Sequence, residues 1–159
     1  MSSRDVLQRN DKRSSGQALA ELALAIPALL LLVFGLIEFA NAWRTYQVIT
    51  NAAREGARRA VMANAGVIDS SEAGVRVVVD NVLSAGQLDA AAATVVFTCD
   101  GVEGALCEGM RGAPEGIRVD YPHEFLFIGP IIEIMCVDCG SGSTGTITLS
   151  ASSVMRSEG

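Results

Sequence analysis

Residues 22–37 read LALAIPALLLLVFGLI, sixteen positions without a charged side chain. If Glu21 and Glu38 at its edges are admitted, the apolar run extends over residues 18–42. About 20 residues of helix cross a hydrocarbon core. Ala, Leu and Ile favour helix, so the stretch predicts a membrane-length helix rather than a strand. Pro27 removes one backbone donor and predicts a kink near the first turns. Gly35 is a second weak point. Half of the 159 residues are hydrophobic, and the excess lies mostly in this run. The remainder, rich in Gly, Ala, Ser, Thr and Val, reads as one small globular unit.

Charge divides along the same line. Residues 1–60 hold eight Lys/Arg and five Asp/Glu, a net +3; residues 61–159 hold four and thirteen, a net −9. An acidic body repels phosphate backbones, which argues against nucleic acid as a partner. All four cysteines (Cys99, Cys107, Cys136 and Cys139) fall in the acidic part. An even count confined to one side of the apolar run suggests disulfides on an oxidising side.

Three readings of the run compete. The first is a plain transmembrane anchor. Arg4, Arg9, Lys12 and Arg13 precede it and Arg44, Arg54, Arg58 and Arg59 follow, so loop charge does not orient it. The cysteines place the C-terminal body outside. The second is a secretory signal peptide cut after Ala42, since Ala40-Asn41-Ala42 has the small-x-small pattern. Against it stand Glu38 just before that cut, a long lead, and a helical pattern that continues past Ala42.

The third reading joins Gly16 to Glu21. A carboxylate at the centre of a bilayer helix costs ~2.5–3.5 kcal/mol, less near an end, and needs a partner. Cleavage after Gly16 makes Gln17 a new N-terminus with a free ammonium. Glu21 of one subunit then meets the amino terminus of a neighbour, and two groups unwelcome in lipid neutralise each other. A small residue before the cut lets a membrane peptidase approach the backbone.

The stretch GQALAELALAIPALLLLVFGLIEFANAWRTYQVITNAAREGARRAV resembles the N-terminus of the TadE-like family, pseudopilins of the Tad/Flp pilus system. Three features carry the resemblance. They are the Gly-x-x-x-x-Glu spacing (Gly16 to Glu21), Pro27 in the early membrane helix, and Asn51-Ala52-Ala53-Arg54-Glu55-Gly56-Ala57-Arg58. The C-terminal order also fits: a strand GIRVDYPHEF, an apolar segment with Pro130, then a last strand ending near Glu158. The resemblance implies a prepilin cut by a prepilin peptidase between Gly16 and Gln17. It implies other pilins and pseudopilins of the Tad machinery as partners, with the lipid bilayer. The place implied is the inner (cytoplasmic) membrane, single-pass, with possible passage to a surface pilus after processing. The implied role is structural assembly, with no enzyme activity and no cofactor.

Beyond residue 42 the helical pattern continues to about residue 65. Tyr46, Ile49, Ala53, Gly56, Ala57 and Ala60 recur at spacings of three and four. A helix over residues 17–64 spans ~70 Å at about 1.5 Å per residue. The small-residue stripe at Gly56, Ala57 and Ala60 reads as core packing against a sheet. Trp43 reads as an anchor at the membrane boundary. Ser70 or Ser71 caps a second helix to about residue 85, with Val75, Val78, Val79, Val82 and Leu83 buried and Gly86 as its stop. Strands are expected over 93–99, 116–121 and 144–154, with a glycine-rich loop over 100–116. Pro122 is expected to end or bend the middle strand. The apolar segment 124–135 is too short to span a bilayer, and GSGSTG over 140–145 reads as a flexible turn.

The fold expected is α+β and pilin-like: a long N-terminal helix packed on a small antiparallel sheet, with one further helix. Its parts are a leader (1–16), a membrane helix (17–42), its continuation (43–65) and an exported globular domain (66–159).

Candidate chemistry is sparse. Cys136-x2-Cys139 has metal-ligand spacing, but Cys99-x7-Cys107 is wider than such pairs usually are. Disulfides are the better reading. Four cysteines allow three pairings; local pairs, Cys99 with Cys107 and Cys136 with Cys139, are favoured. His123 has no nucleophile or metal partner in the sequence and reads as a surface residue on a strand edge. Glu38 reads as an interfacial carboxylate. The leading interpretation is therefore a processed pilin-type subunit. A membrane-anchored binding module that never polymerises is the alternative, and a secreted protein released after Ala42 the third.

Overall fold

The computed structural model describes residues 3–64, 71–107, 112–127, 129 and 145–156, with side chains of the first segment described over 16–62. The chain divides into two units, Met1–Phe39 and Ala40–Gly159. Helix α1 (Ser3–Asn64, 62 residues) provides the described structure of the first unit and the opening element of the second. It begins well before Gly16, because residues 3–15 contain neither Pro nor Gly to break it. Pro27 lies inside it, and the helix continues past the proline.

Leu22, Leu24, Ile26, Leu29, Leu30, Leu31 and Leu32 are all exposed, Leu24 by 79%. At 100° per residue these positions surround the helix. A helix apolar on every side requires lipid or other helices around it. By length and composition, the segment beginning at Gly16 can cross a membrane.

In the second unit, α1 packs on a second helix and a sheet. Helix α2 runs Glu72–Ala85 and is capped by Ser71, whose side chain accepts a hydrogen bond from the Gly74 N–H. Val75, Val79 and Leu83 are its buried residues, the i, i+4, i+8 row of an amphipathic helix. Val78 and Val82 are only partly buried. A 3-10 turn (Ala90–Ala92) leads to strands β1 (Thr94–Cys99), β2 (Val102–Glu103), β3 (Pro114–Glu124) and β4 (Thr146–Arg156). Every pairing is antiparallel, in the order β2-β1-β3-β4. The architecture is the expected α+β one, a long N-terminal helix with one further helix and an antiparallel sheet.

The core joins Ile49, Ala52, Ala53, Ala57 and Ala60 of α1 to Val75, Val79 and Leu83 of α2 and to Ile117, Val119 and Ala151 of the sheet. The stripe of small residues on α1 is therefore core. A methyl added at Gly56 would come within 2.8 Å of Val79 Cγ2 and 3.0 Å of Ile117 Cδ1. At this glycine α1 lies directly against both α2 and β3.

Gly86 caps α2 where its stop is expected, but not by a left-handed conformation. Its φ is −78°, an ordinary value, while the left-handed residue is Gln87, with φ 61°. The Leu88 N–H reaches Leu83 O at 2.9 Å and the Gln87 N–H reaches Ser84 O at 2.9 Å. This is the Schellman ending of a helix. Gly86 is needed because a Cβ there would overlap the methyls of Val48 on α1.

Three sequence expectations are corrected. The 100–116 loop is interrupted by β2 and ends at Pro114, where β3 starts. Asp100 (φ 49°) and Gly101 (φ 82°) make the turn between β1 and β2. Two positive φ values with an Asp-Gly pair are the signature of a tight hairpin. Second, Pro122 does not end β3, which keeps an unbroken register with β4 from Pro114↔Arg156 to Glu124↔Thr146. The Pro114 carbonyl accepts from the Asp100 N–H, so even-numbered residues of β3 turn their backbone groups toward β1. The last residue that β1 pairs is Asp120, opposite Thr94. The N–H that Pro122 lacks would point beyond the end of β1, where no strand waits for it. Third, His123 is buried, 9% exposed. Because β3 runs straight through Pro122, His123 stays on the inward face with Ile117, Val119 and Tyr121.

Cys99 and Cys107 form a disulfide. It ties the end of β1 to the chain beyond β2 and removes both thiolates as metal ligands. Cys136 and Cys139, like Pro130 and residues 140–144, lie outside the described residues. Closing a loop of 8 residues stabilises by about 2–3 kcal/mol in the chain-entropy estimate. The double variant Cys99→Ser/Cys107→Ser should therefore melt several degrees lower than the parent, measured by thermal unfolding of the full chain in detergent. An unchanged melting temperature would show that the staple contributes nothing.

On the outer face of the sheet, Arg118 joins Glu103 of β2 to Asp120 of its own strand. The hydrogen bonds that Arg118 donates, to Glu103 first and then to Asp120, raise its pKa above the ordinary arginine value. Its charge is thus constant at every physiological pH.

Candidate functional site

The residues that the sequence singles out at its N-terminal end, Gly16, Gln17, Glu21 and Pro27, lie along α1. Among the described residues no group of three or more His, Cys, Asp or Glu could hold a metal ion. Gly16, Gln17 and Glu21 all lie on α1 and are exposed. A Cβ built on Gly16 meets nothing within 4 Å, so packing within the chain gives no reason for a glycine there. Gln17 Nε2 donates to Glu21 Oε1 at 3.4 Å, one helical turn apart. In the uncut chain the Glu21 carboxylate therefore has a weak local donor. Glu21 is followed at once by the bare apolar surface from Leu22 onward.

The bond after Gly16 lies inside helix. For a peptidase to take that bond in extended form, α1 would have to unwind locally first. Glycine weakens a helix interior by roughly 0.5–1 kcal/mol relative to alanine, which lowers that barrier where the cut is expected.

The distal part of α1 holds the second unit's helices together. Arg44 Nη2 donates to Gln87 Oε1 at 2.9 Å and to Gly86 O at 3.3 Å. Helix α2 has no basic residue in its last turn, and Arg44 brings a positive charge to that negative end. One turn further along α1, Val48 receives Gly86. Sequence reasoning recorded Arg44 only as a charge near the membrane; its structural partner lies 42 residues away.

A second pair was also missed. Thr45 is buried. Its hydroxyl donates to Asn41 O at 3.1 Å and lies 3.4 Å from His123 Nδ1. With the hydroxyl hydrogen used on a carbonyl, Nδ1–H is the tautomer that completes the contact. His123 Nε2 has no hydrogen-bond partner among the described residues, and Phe125 meets the ring edge-on at 5.5 Å. The readable signal was strand alternation: carried through Pro122, it puts His123 on the face of Val119. Glu38, expected at an exposed interface, is 2% exposed and is engaged in the structure.

Comparison with known families finds a match. Residues 16–58 match the family of TadE-like protein, and the match begins at Gly16. No curated protein matches the chain. No solved structure matches it either. The matched stretch contains the Gly16 to Glu21 spacing, Pro27, the bare apolar surface and the alanine face that enters the core. It supports association with the Tad pilus and a structural role. Over residues 16–58, about a quarter of its length, the chain is similar to the TadE-like family.

Proposed function

We propose that the chain is a pilin-type structural subunit, a pseudopilin or minor pilin of Tad/Flp pilus biogenesis. A prepilin peptidase cuts between Gly16 and Gln17. Residues 17–42 hold the product in the cytoplasmic membrane, with the body beyond residue 42 outside, until it assembles with other pilins. Its action is assembly rather than catalysis. The observation that carries this reading is that the TadE-like match starts at Gly16, a glycine whose surroundings in the chain are open space.

Cleavage changes the chemistry of one position. Before it, Gln17 offers Glu21 a neutral amide. After it, Gln17 also carries an ammonium, and a charge-assisted bond is about twice as strong as a neutral one. The partner for that ammonium is Glu21 of a neighbouring subunit. The order is fixed, because a chain that keeps its leader cannot present the amine.

The test is the N-terminus of the mature protein, isolated from cells that contain the Tad machinery. Intact mass and terminal sequencing should give Gln17 as the first residue. A first residue of Trp43 would mean a signal peptide, and an intact start at Met1 or Ser2 would mean a membrane-anchored module. Either result ends the pilin reading.

A further inference from the structure

A groove of about 270 Å³ opens on α1 just past the apolar run, lined by Trp43, Tyr46, Gln47, Thr50, Asn51 and Arg54. These positions advance by threes and fours, so they form one continuous face of the helix. It is a different face from that of Ile49, Ala53 and Ala57, which are in the core. The lower end is aromatic: Trp43 is 53% and Tyr46 41% exposed, with ring centroids 6.1 Å apart. The upper end is polar and ends in a cation.

The charges around the groove are unevenly committed. Residues 43–60 carry four Arg and one Glu, while residues 61–159 carry a net −9. Arg44 is held at the end of α2, and Arg58 lies 3.9 Å from Glu55. Arg54 has no ion pair among the described residues. Helical side chains lean toward the N-terminus, so Arg54 reaches back over Asn51, toward Trp43 and the end of the apolar run. The Thr50 hydroxyl already donates to Tyr46 O at 2.7 Å. The donors left to meet a ligand are the amides of Gln47 and Asn51 and the guanidinium of Arg54.

We propose that this groove seats the headgroup of an anionic phospholipid from the leaflet that borders residues 43–54. The aromatic pair lies at the level of the glycerol and upper acyl chain, where Trp and Tyr are favoured. Arg54, with Asn51 and Gln47, binds the phosphate above them. The acidic body excludes anionic lipid elsewhere, so the basic segment of α1 is where one can dock. The seat fixes the depth of α1 and its rotation about its own axis, which a uniformly apolar helix cannot do for itself. The inference rests on the membrane reading proposed above.

The protein contains a single tryptophan, and it lines the groove, so its fluorescence reports occupancy directly. The full chain is reconstituted in phosphatidylcholine vesicles doped with a small, equal fraction of brominated phosphatidylglycerol or brominated phosphatidylcholine. The brominated phosphatidylglycerol should quench Trp43 about threefold to fivefold more effectively, since a basic residue near a membrane surface is worth about 1 kcal/mol toward anionic lipid. Arg54→Gln should abolish the preference. Arg54→Lys should keep most of it, and Arg58→Gln all of it. Equal quenching by the two lipids in the parent chain overturns the proposal and leaves the face to a protein contact. A preference that survives Arg54→Gln overturns it as well. Absence of quenching by either lipid instead overturns the membrane reading on which it rests.

Discussion

Glu21→Ala should yield a chain that inserts and is cut after Gly16, yet is lost from the assembled pilus. The substitution removes a charge from the bilayer, so insertion becomes easier rather than harder; a central carboxylate costs ~2.5–3.5 kcal/mol there. Nothing packs on Glu21 in the chain itself, where it is exposed and held only by Gln17 at 3.4 Å. The loss appears between subunits. Each neighbour's Gln17 ammonium is left in lipid without a counter-charge, at a cost of a few kcal/mol. Since about 1.4 kcal/mol is a factor of ten, assembly should fall by at least tenfold. Co-isolation with sheared pili measures it, with intact mass confirming cleavage. A cut variant that assembles normally would remove the role given to this carboxylate.

The second large effect lies in the core. Ile117→Ala should destabilise the folded unit by about 2–5 kcal/mol, the range for truncating a buried isoleucine. Ile117 is buried on β3 and meets α1 at Gly56. Gly56→Ala alone sets two tendencies against each other. Alanine favours a helix interior by about 1 kcal/mol over glycine. Against that, the new methyl lies 2.8 Å from Val79 Cγ2, on a β-branched side chain with little freedom to turn, and 3.0 Å from Ile117 Cδ1. Overpacking costs about 1–3 kcal/mol, so the single variant should be net destabilised. In an Ile117→Ala background one of the two obstacles is gone and Val79 has room to shift, so Gly56→Ala should cost less than it does alone. A double-mutant cycle on thermal unfolding reads the coupling. Strict additivity would show that the two residues do not share this space.

Much of this was visible in the residues. The spacing of Ala53, Ala57 and Ala60 gave the inward face of α1, and Ser71 gave the start of α2. The apolar run and the Gly16 to Glu21 spacing stand in the sequence as written, and they fall in the matched segment. Other features depended on events far along the chain. Pro122 ends a strand only if its missing donor is needed, and that depends on how far β1 extends. Strand β2 has two residues, too few for alternation to show, although Asp100-Gly101 signalled its turn. Glu115 and His123 are buried polar residues on β3, which polarity alone would place outside. Gly86 is the helix stop its position signals, yet the need for glycine there comes from Val48, 38 positions earlier in the numbering.

The order in which the core's members leave the ribosome has its own consequence. The alanine face of α1 is made early, yet its partners include Ile117 and Ala151, and β4 is the last element described. Contacts so distant in sequence close slowly, since the loop entropy must be met before they form. Until the later strands are made, Ile49, Ala53 and Ala57 have only α2 among the described elements of the core to cover them. A chain stopped before Ala151 would therefore hold that face partly covered, with the helices in place and the sheet's share of the core incomplete.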